Sequence, residues 1–365
     1  MKILIGIGAS DDGTGRSLIR AFQRLGHQIC CAGAVYGRKD TSIASPEAAD
    51  IDLPDKPYPE TYTYKEVLDK APWTPDFILQ LEPHFYFVGD KPKGMKSYYY
   101  VNDPHRGGVG HRNMARSGNF NAIFITQSFF AESYITSGME CFWIPAAFDT
   151  ERIVYDPSIK PECDIAFIGQ TGIREDDIIY NRIDDDGFEY CAELPDKINL
   201  MSEYNEYAER AVLIANLMRE FDVRIYKRRS FGKIKEIDSK TKGTNYSKII
   251  QKGIMGFHRS LFKDITLRPF EIAACKRVPI IDDIPNITKI FKHTQTALIY
   301  KQFGFSPHLS NFTLEYEMAR RCVMKLIEDP DLTNALAGEA YRFVHQYHTY
   351  ENRVQEIIEI VNEKS

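Results

Sequence analysis

Short apolar runs alternate with helically spaced segments along most of this chain. KILIGIG (2–8) is a continuous apolar run that meets a glycine-bearing loop, GASDDGTG (8–15). RSLIRAFQRLGH (16–27) then places apolar residues at helical spacing, and QICCAGA (28–34) is strand-like again. Strand, helix and strand in that order predict a βαβ opening, and hence a parallel sheet with helices on both faces. PDFILQLE (75–82), KSYYYVND (96–103) and NAIFITQ (121–127) add strands. SFFAESYITSG (128–138) adds a helix with Ser128 as its N-cap, and CFWIPAAFD (141–149) closes the first half.

A second α/β series follows. CDIAFIGQTG (163–172) repeats the logic of a strand entering a glycine loop. AERAVLIANLMREF (208–221) is amphipathic, DVRIYKR (222–228) is a strand, and 246–260 holds a short helix and then a strand. FEIAAC predicts a helix and VPIID a strand, with a further strand at 296–300 and helices over 312–329 and 333–363. The fold class is therefore α/β, in two halves that join near 150–160. Between 173 and 206 lies an acidic, aromatic connection longer than a usual βα loop, read as a surface insertion.

At 365 residues, two domains are the natural expectation, and 43% hydrophobic residues suffice for two cores. The seven scattered cysteines lack metal-ligand spacing and are read as reduced thiols of an intracellular protein. The first residues are too short an apolar run for a signal peptide or a membrane span, so a cytoplasmic location is expected. A net charge of −5 argues against binding nucleic acid through bulk charge. Residues 224–263 nevertheless hold twelve lysines and arginines against Glu236 and Asp238. That stretch suits either a phosphorylated ligand or a nucleic-acid backbone, with a solvated face as the plainer explanation.

Candidate chemistry is dispersed. Asp11 and Asp12 follow the first strand, where each serves either as a base or as a cap of the next helix. Gly13 and Gly15 in the same loop lack the dinucleotide-binding spacing but permit close backbone approach. YVNDPHRGGVGHR (100–112) gathers Asp103, His105, Arg106 and His111. A histidine beside a carboxylate suits acid–base work, and the spacing fits no common metal motif. The triple acid Asp184–Asp185–Asp186 is read as a solvated loop. Arg268 and Glu271, three residues apart at a helix start, form either a local ion pair or a site in which arginine meets phosphate and glutamate accepts hydroxyls.

Several segments together resemble the CgeB-like glycosyltransferases of the GT-B class: CDIAFIGQ, RAVLIANL, VRIYKR, GFHRSLFKDITLRPFEIAACKRVPIID, FTLEYEMARRCVMKLIEDPD and HTYENR. YYYVNDPHRGGVGHRNMARSGNFNAIFITQ and YITSGMECFWIPAAFDTER in the first half agree with that resemblance. It implies two Rossmann-like domains facing across a cleft. Residues 1–152 would bind the acceptor and 153–347 the nucleotide sugar, while 348–365 would form a helix packing back on the first domain. It also implies Glu271 at the donor ribose, Arg268 and Arg259 with helix N–H groups at the diphosphate, and Gly169 with Gln170 in the turn facing the donor.

The activity implied is metal-independent transfer of a sugar from a nucleoside diphosphate, UDP foremost, to a hydroxyl acceptor. That acceptor is a glycan, a protein, a small molecule or a hydroxylated viral DNA base. No cofactor is expected. Asp11, Asp12 or His105 would act as base in an inverting enzyme; His105 or Asp103 would position the sugar in a retaining one. A non-catalytic sugar-nucleotide or glycan-binding module and an epimerase on the same fold are the alternatives. Two positions depart from the family pattern: Lys263 stands where related retaining enzymes often have glutamate, and Lys276 where a glycine usually follows FEIAAC.

Overall fold

Ile3, Leu4 and Ile5 have no exposed surface, and the run containing them forms β1 (Lys2–Gly6), an inner strand of a seven-stranded sheet. The computed structural model describes residues 1–6, 14–33, 50–53, 60–81, 85–102, 115–116, 118–135, 138–195, 205–226, 239–261, 263, 265–301 and 309–364. The chain divides into two units, Met1–Ala146 with Tyr350–Ser365, and Ala147–Thr349.

In the first unit, β1 is followed by α1 (Thr14–Arg24), β2 (Gln28–Gly33), β3 (Ile51–Asp52), β4 (Glu60–Thr63) and α2 (Tyr64–Leu68). β5 (Phe77–Leu81), β6 (Phe85–Val88), β7 (Ser97–Val101), β8 (Ala122–Ile125), α3 (Ser128–Ile135) and β9 (Cys141–Trp143) complete it up to residue 146. The sheet order is β3-β2-β1-β5-β7-β8-β9, with every neighbour parallel. This is the doubly wound order, reversing direction beside β1. β4 and β6 pair with each other apart from the sheet. Their shortness, and that of β3, explains why hydrophobic periodicity does not reveal them. Gly15 is buried in the first turn of α1 and is not part of the preceding loop, which ends earlier than the apolar spacing suggests.

The second unit contains β10 (Cys163–Ile168), a 3-10 turn (Glu175–Asp177), β11 (Arg182–Ile183), β12 (Glu189–Cys191) and α4 (Asn205–Glu220). β13 (Val223–Tyr226), α5 (Ser239–Gln251), β14 (Gly253–His258), α6 (Arg268–Ala274) and β15 (Val278–Asp282) follow. α7 (Ile287–Ile290), β16 (Leu298–Tyr300), α8 (Leu309–Glu328) and α9 (Pro330–Tyr347) complete it. Its sheet order is β11-β12-β13-β10-β14-β15-β16. The five strands from β13 to β16 are parallel, and β11 and β12 add an antiparallel hairpin at one edge. The 173–206 connection thus extends the sheet, and Cys191 is buried against Phe167, Ile214 and Ile225.

Two members of the triple acid, Asp184 and Asp186, also prove structural. Asp184 is 1% exposed at its side chain, accepts from the Phe188 N–H at 2.8 Å, and lies 3.0 Å from the Nζ of Lys252. Lys252, itself unexposed, is held further by Glu162 at 2.9 Å and Asp186 at 2.6 Å. A buried ammonium needs such compensation, which is why the loop is not simply solvated.

The run at 333–363 breaks at His348 and Thr349 into α9 and α10 (Tyr350–Glu363). α10 belongs to the first unit, where Arg353, 1% exposed, donates from Nε to the Pro145 carbonyl at 2.8 Å and from Nη2 to that of Ala146 at 3.3 Å. Arg24 of α1 pairs with Glu351 of α10 at 2.6 Å. No described helix is long and apolar enough to cross a membrane.

A close contact seats α6 on the second sheet. A Cβ at Gly256 of β14 would lie 2.5 Å from Ile272, so the glycine admits the helix closely. The helix ends in a Schellman turn, in which Lys276 N–H donates to the Ala273 carbonyl at 2.9 Å and Arg277 N–H to that of Ile272 at 3.2 Å. Lys276 takes φ 54°, the left-handed conformation that glycine adopts most readily, and its Nζ lies 5.1 Å from the centroid of the Tyr155 ring. Lys276→Gly is therefore expected to be more stable than Lys276→Ala by about 1 kcal/mol, since both lose the ring contact and only alanine keeps the strain. Denaturant midpoints of the two variants check this.

Candidate functional site

From β10 the chain runs outward to β13 and returns to β14 on the other side of β10. The carboxyl ends of β10 and β14 thus flank a topological switch point, where open α/β sheets bind ligands. β10 leads there into Gly169 and Gln170, β14 into Arg259 and Ser260, and β15 ends on Asp282. Gly169 has φ 137°, which other residues rarely adopt, and the Nη2 of Arg268 lies 3.5 Å from where its Cβ would stand.

Arg268 and Glu271 occupy the first turn of α6. Their closest approach, Nη1 to Oε2, is 3.6 Å. That is longer than a charge-assisted hydrogen bond of about 2.7–2.9 Å, so the two charges are neighbours without being closely joined. Tyr246 of α5 serves both. Its hydroxyl donates to Glu271 Oε2 at 2.9 Å, and the guanidinium carbon of Arg268 lies 4.8 Å from its ring centroid. The ring itself packs against a cluster that includes Ile168 and Ile249. Burial raises the Glu271 pKa above the ordinary carboxylate value, opposed by Arg268 and Arg152.

The backbone of α6 offers less to an anion than its position suggests. Phe270 and Glu271 N–H both donate to the Leu267 carbonyl at 3.1 Å, Pro269 has no N–H, and Arg268 N–H lies 3.4 Å from Thr266 Oγ1. The helix N–H groups expected at a diphosphate are thus already used. The cation at this turn is the Arg268 guanidinium.

Behind this edge lies a buried charge network. Arg259, 1% exposed, is paired through Nε with Glu315 at 2.8 Å and through Nη2 with Glu209. Burial opposes its charge, but Glu315, Tyr300 and Glu209 outweigh that and raise its pKa. Arg259 was expected at the diphosphate; these two carboxylates instead turn its guanidinium inward. Arg210 of α4 donates to the carbonyls of Gln170, at 2.9 Å, and of Arg259, tying the ends of β10 and β14 together. Burial lowers the Arg210 pKa to about 10. Asp282, fully buried, accepts from Ser260 N–H at 2.9 Å and its hydroxyl at 2.8 Å. His258 is 5% exposed, and its Nε2 has no hydrogen-bond partner among the described residues. Burial, then Arg210 and Arg259, push its pKa down to about 3.

The structure thus brings together Gly169, Gln170, Arg268 and Glu271, and sets Arg259 behind them. Asp11, Asp12, Gly13, Asp103, His105, Arg106 and His111 lie outside the described residues. Tyr246, Arg210, His258 and Asp282 were missed as site residues by sequence reasoning. A strand ending in aspartate beside a site is a usable signal for Asp282; nothing local marks Tyr246. Among the described residues, no group of three or more His, Cys, Asp or Glu is arranged to hold a metal.

Residues 210–359 match the family model described as Glycosyl transferase-like. That segment begins at Arg210 and contains Arg259, Arg268 and Glu271. No curated protein matches the chain in sequence. Among solved structures, sucrose-phosphate synthase from Thermosynechococcus elongatus is similar at a TM-score of 0.59 and 12% identity, covering 100% of this chain and 98% of that one. HepE from Anabaena, in complex with UDP-glucose, gives 0.58 and 13% over 100% of both chains. An alpha-glucosyltransferase in complex with UDP-glucose and DNA containing an abasic site gives 0.59 and 10%, over 99% and 98%. The fold is GT-B. Its two Rossmann-like domains correspond to the two seven-stranded sheets.

Two outcomes follow for the buried network. Arg259→Ala removes the buried cation that Glu209 and Glu315 share and is expected to cost about 3–5 kcal/mol of stability, whereas Arg268→Ala, at the partly open turn, changes the melting temperature little. His258 stays neutral when folded but takes a proton when unfolded below its ordinary value of 6.5. Its contribution to stability therefore falls as pH drops, by about 2 kcal/mol between pH 7 and pH 5. Urea titrations at the two pH values are expected to show that loss reduced in His258→Asn.

Proposed function

We propose that the chain is a glycosyltransferase that takes a sugar from a nucleoside diphosphate, UDP foremost, and passes it to a hydroxyl acceptor. The observation that carries this reading is the Glu271 carboxylate, anchored through Oε2 beside Arg268 and the Gly169 turn at the switch point of the second sheet. Glu271 Oε1 accepts from a ribose hydroxyl, and Arg268 meets the diphosphate. The glycosyl transferase-like match over 210–359 and the nucleotide complexes of the structural relatives support the same ligand class. The order of the quoted segments supports a place beside the CgeB-like enzymes.

In the reaction, the bond from the anomeric carbon to the diphosphate oxygen breaks and the acceptor oxygen bonds to that carbon. The leaving diphosphate carries away the electron pair, and Arg268 offsets its growing charge without a metal in this reading. The acceptor proton goes to a base in the first unit, for which Asp11, Asp12 and His105 are the candidates, with Asp103 placing the sugar.

Three cations of the 224–263 stretch offer little to a nucleic-acid acceptor. Arg224 is paired with Glu162 at 3.1 Å and Asp222 at 3.3 Å, and Lys252 and Arg259 are enclosed by carboxylates. Cations already neutralised release few counterions on binding DNA.

Calorimetric titration with UDP and UDP-glucose tests the reading. Wild type is expected to bind both. Glu271→Gln and Arg268→Ala should each weaken binding about tenfold to a hundredfold with unchanged melting temperature. Slow hydrolysis of the donor in the absence of acceptor would mark the chain as catalytic. If neither nucleotide binds, or Glu271→Gln binds as wild type does, the reading is wrong.

A further inference from the structure

Arg268 and Glu271 sit one helical turn apart with opposite charge, a spacing at which such side chains ordinarily close on each other. Here they stop at 3.6 Å. The same side chain touches both: the Tyr246 hydroxyl takes Glu271 Oε2 at 2.9 Å, while the Tyr246 ring lies 4.8 Å from the Arg268 guanidinium carbon. We propose that Tyr246 is a positioning residue that holds this pair apart, so that Glu271 stays free to read the ribose hydroxyls of the donor nucleotide. The inference rests on the donor-site reading above and assigns a determinant of nucleotide recognition within it.

The geometry divides the work between the two parts of one side chain. Glu271 Oε2 is occupied by the phenol and faces Arg268, which leaves Oε1 to accept from a ligand. Arg268 rests on the ring and keeps its donors off the carboxylate, because cation–π attraction competes with the ion pair. Tyr246 can do this because its ring is fixed from behind by the Ile168 and Ile249 cluster at the end of β10. Without the hydroxyl, the carboxylate turns toward Arg268 and closes the remaining gap. The ion pair then satisfies itself, and the group that reads hydroxyls is withdrawn.

Phenylalanine at this position keeps the ring and deletes the hydroxyl, so it isolates the contact to Glu271. The probes are UDP and 2′,3′-dideoxy-UDP, titrated calorimetrically into wild type, Tyr246→Phe, Glu271→Gln and the double variant. Wild type is expected to prefer UDP, and Tyr246→Phe to lose about tenfold in UDP affinity. Dideoxy-UDP should bind wild type and Tyr246→Phe within about twofold of each other, the remaining binding coming from base and phosphates. In the Glu271→Gln background, Tyr246→Phe should add no further loss. A purely structural tyrosine would instead weaken both nucleotides equally and in both backgrounds, and that result overturns the proposal. So does a Tyr246→Phe protein that discriminates the two nucleotides as wild type does. If wild type does not bind UDP, or Glu271→Gln leaves UDP affinity unchanged, the donor-site reading itself falls and takes the proposal with it.

Discussion

The carboxyl edge of the second sheet depends on the burial of two guanidiniums among three carboxylates. Arg259 lies between Glu209 and Glu315, Arg210 reaches the carbonyls that end β10 and β14, and Asp282 holds the Ser260 turn. Each charge is costly to bury and is retained only because its partners are fixed. In return, the strand ends have little freedom to shift. Arg210 connects a helix to two strands, so Gly169 and Gln170 are positioned relative to Arg259 by hydrogen bonds as well as by sheet pairing. The open turn carrying Arg268 and Glu271 is mounted on this base.

That arrangement separates two kinds of arginine that look alike in the sequence. Arg259 and Arg268 both precede or begin the FEIAAC helix, and the resemblance invites a phosphate reading of both. Arg259 is enclosed by carboxylates from α4 and α8, while Arg268 is 22% exposed at its side chain and meets a ring and one carboxylate at a distance. The same sorting applies to Lys252, which anchors the β11–β12 turn through Asp184 and Asp186. At Arg259 and Lys252 a charge count therefore overstates the cationic surface.

What the sequence made legible follows from how local each signal is. Apolar runs and helical spacing within ten or so residues were enough for the two parallel sheets, and three-residue spacing was enough to pair Arg268 with Glu271. The hairpin in 173–206 was hidden because β11 has two residues and β12 three, too few for periodicity to register. Tyr246 was hidden because it meets Glu271 across 25 residues, from a different helix. Arg210 meets the Arg259 carbonyl across 49 residues, and its partner there is backbone, which carries no sequence signature. The candidate base positions, Asp11, Asp12, Asp103 and His105, fall outside the described residues and stand on sequence and resemblance.

The two family departures separate once α6 is seen from end to end. Lys276 stands at the carboxyl end of the helix, in the left-handed turn that closes it, and its side chain runs to Tyr155. Arg268 and Glu271 stand at the amino end. A lysine at the carboxyl end sets the strain of the cap and leaves the charged turn as it is, so it bears on stability. Lys263 also takes a positive φ, 56°, and is exposed, just before the α6 approach. Of the two positions where the chain departs from the resemblance, Lys263 therefore stands on the charged side of α6 and Lys276 on its capped side.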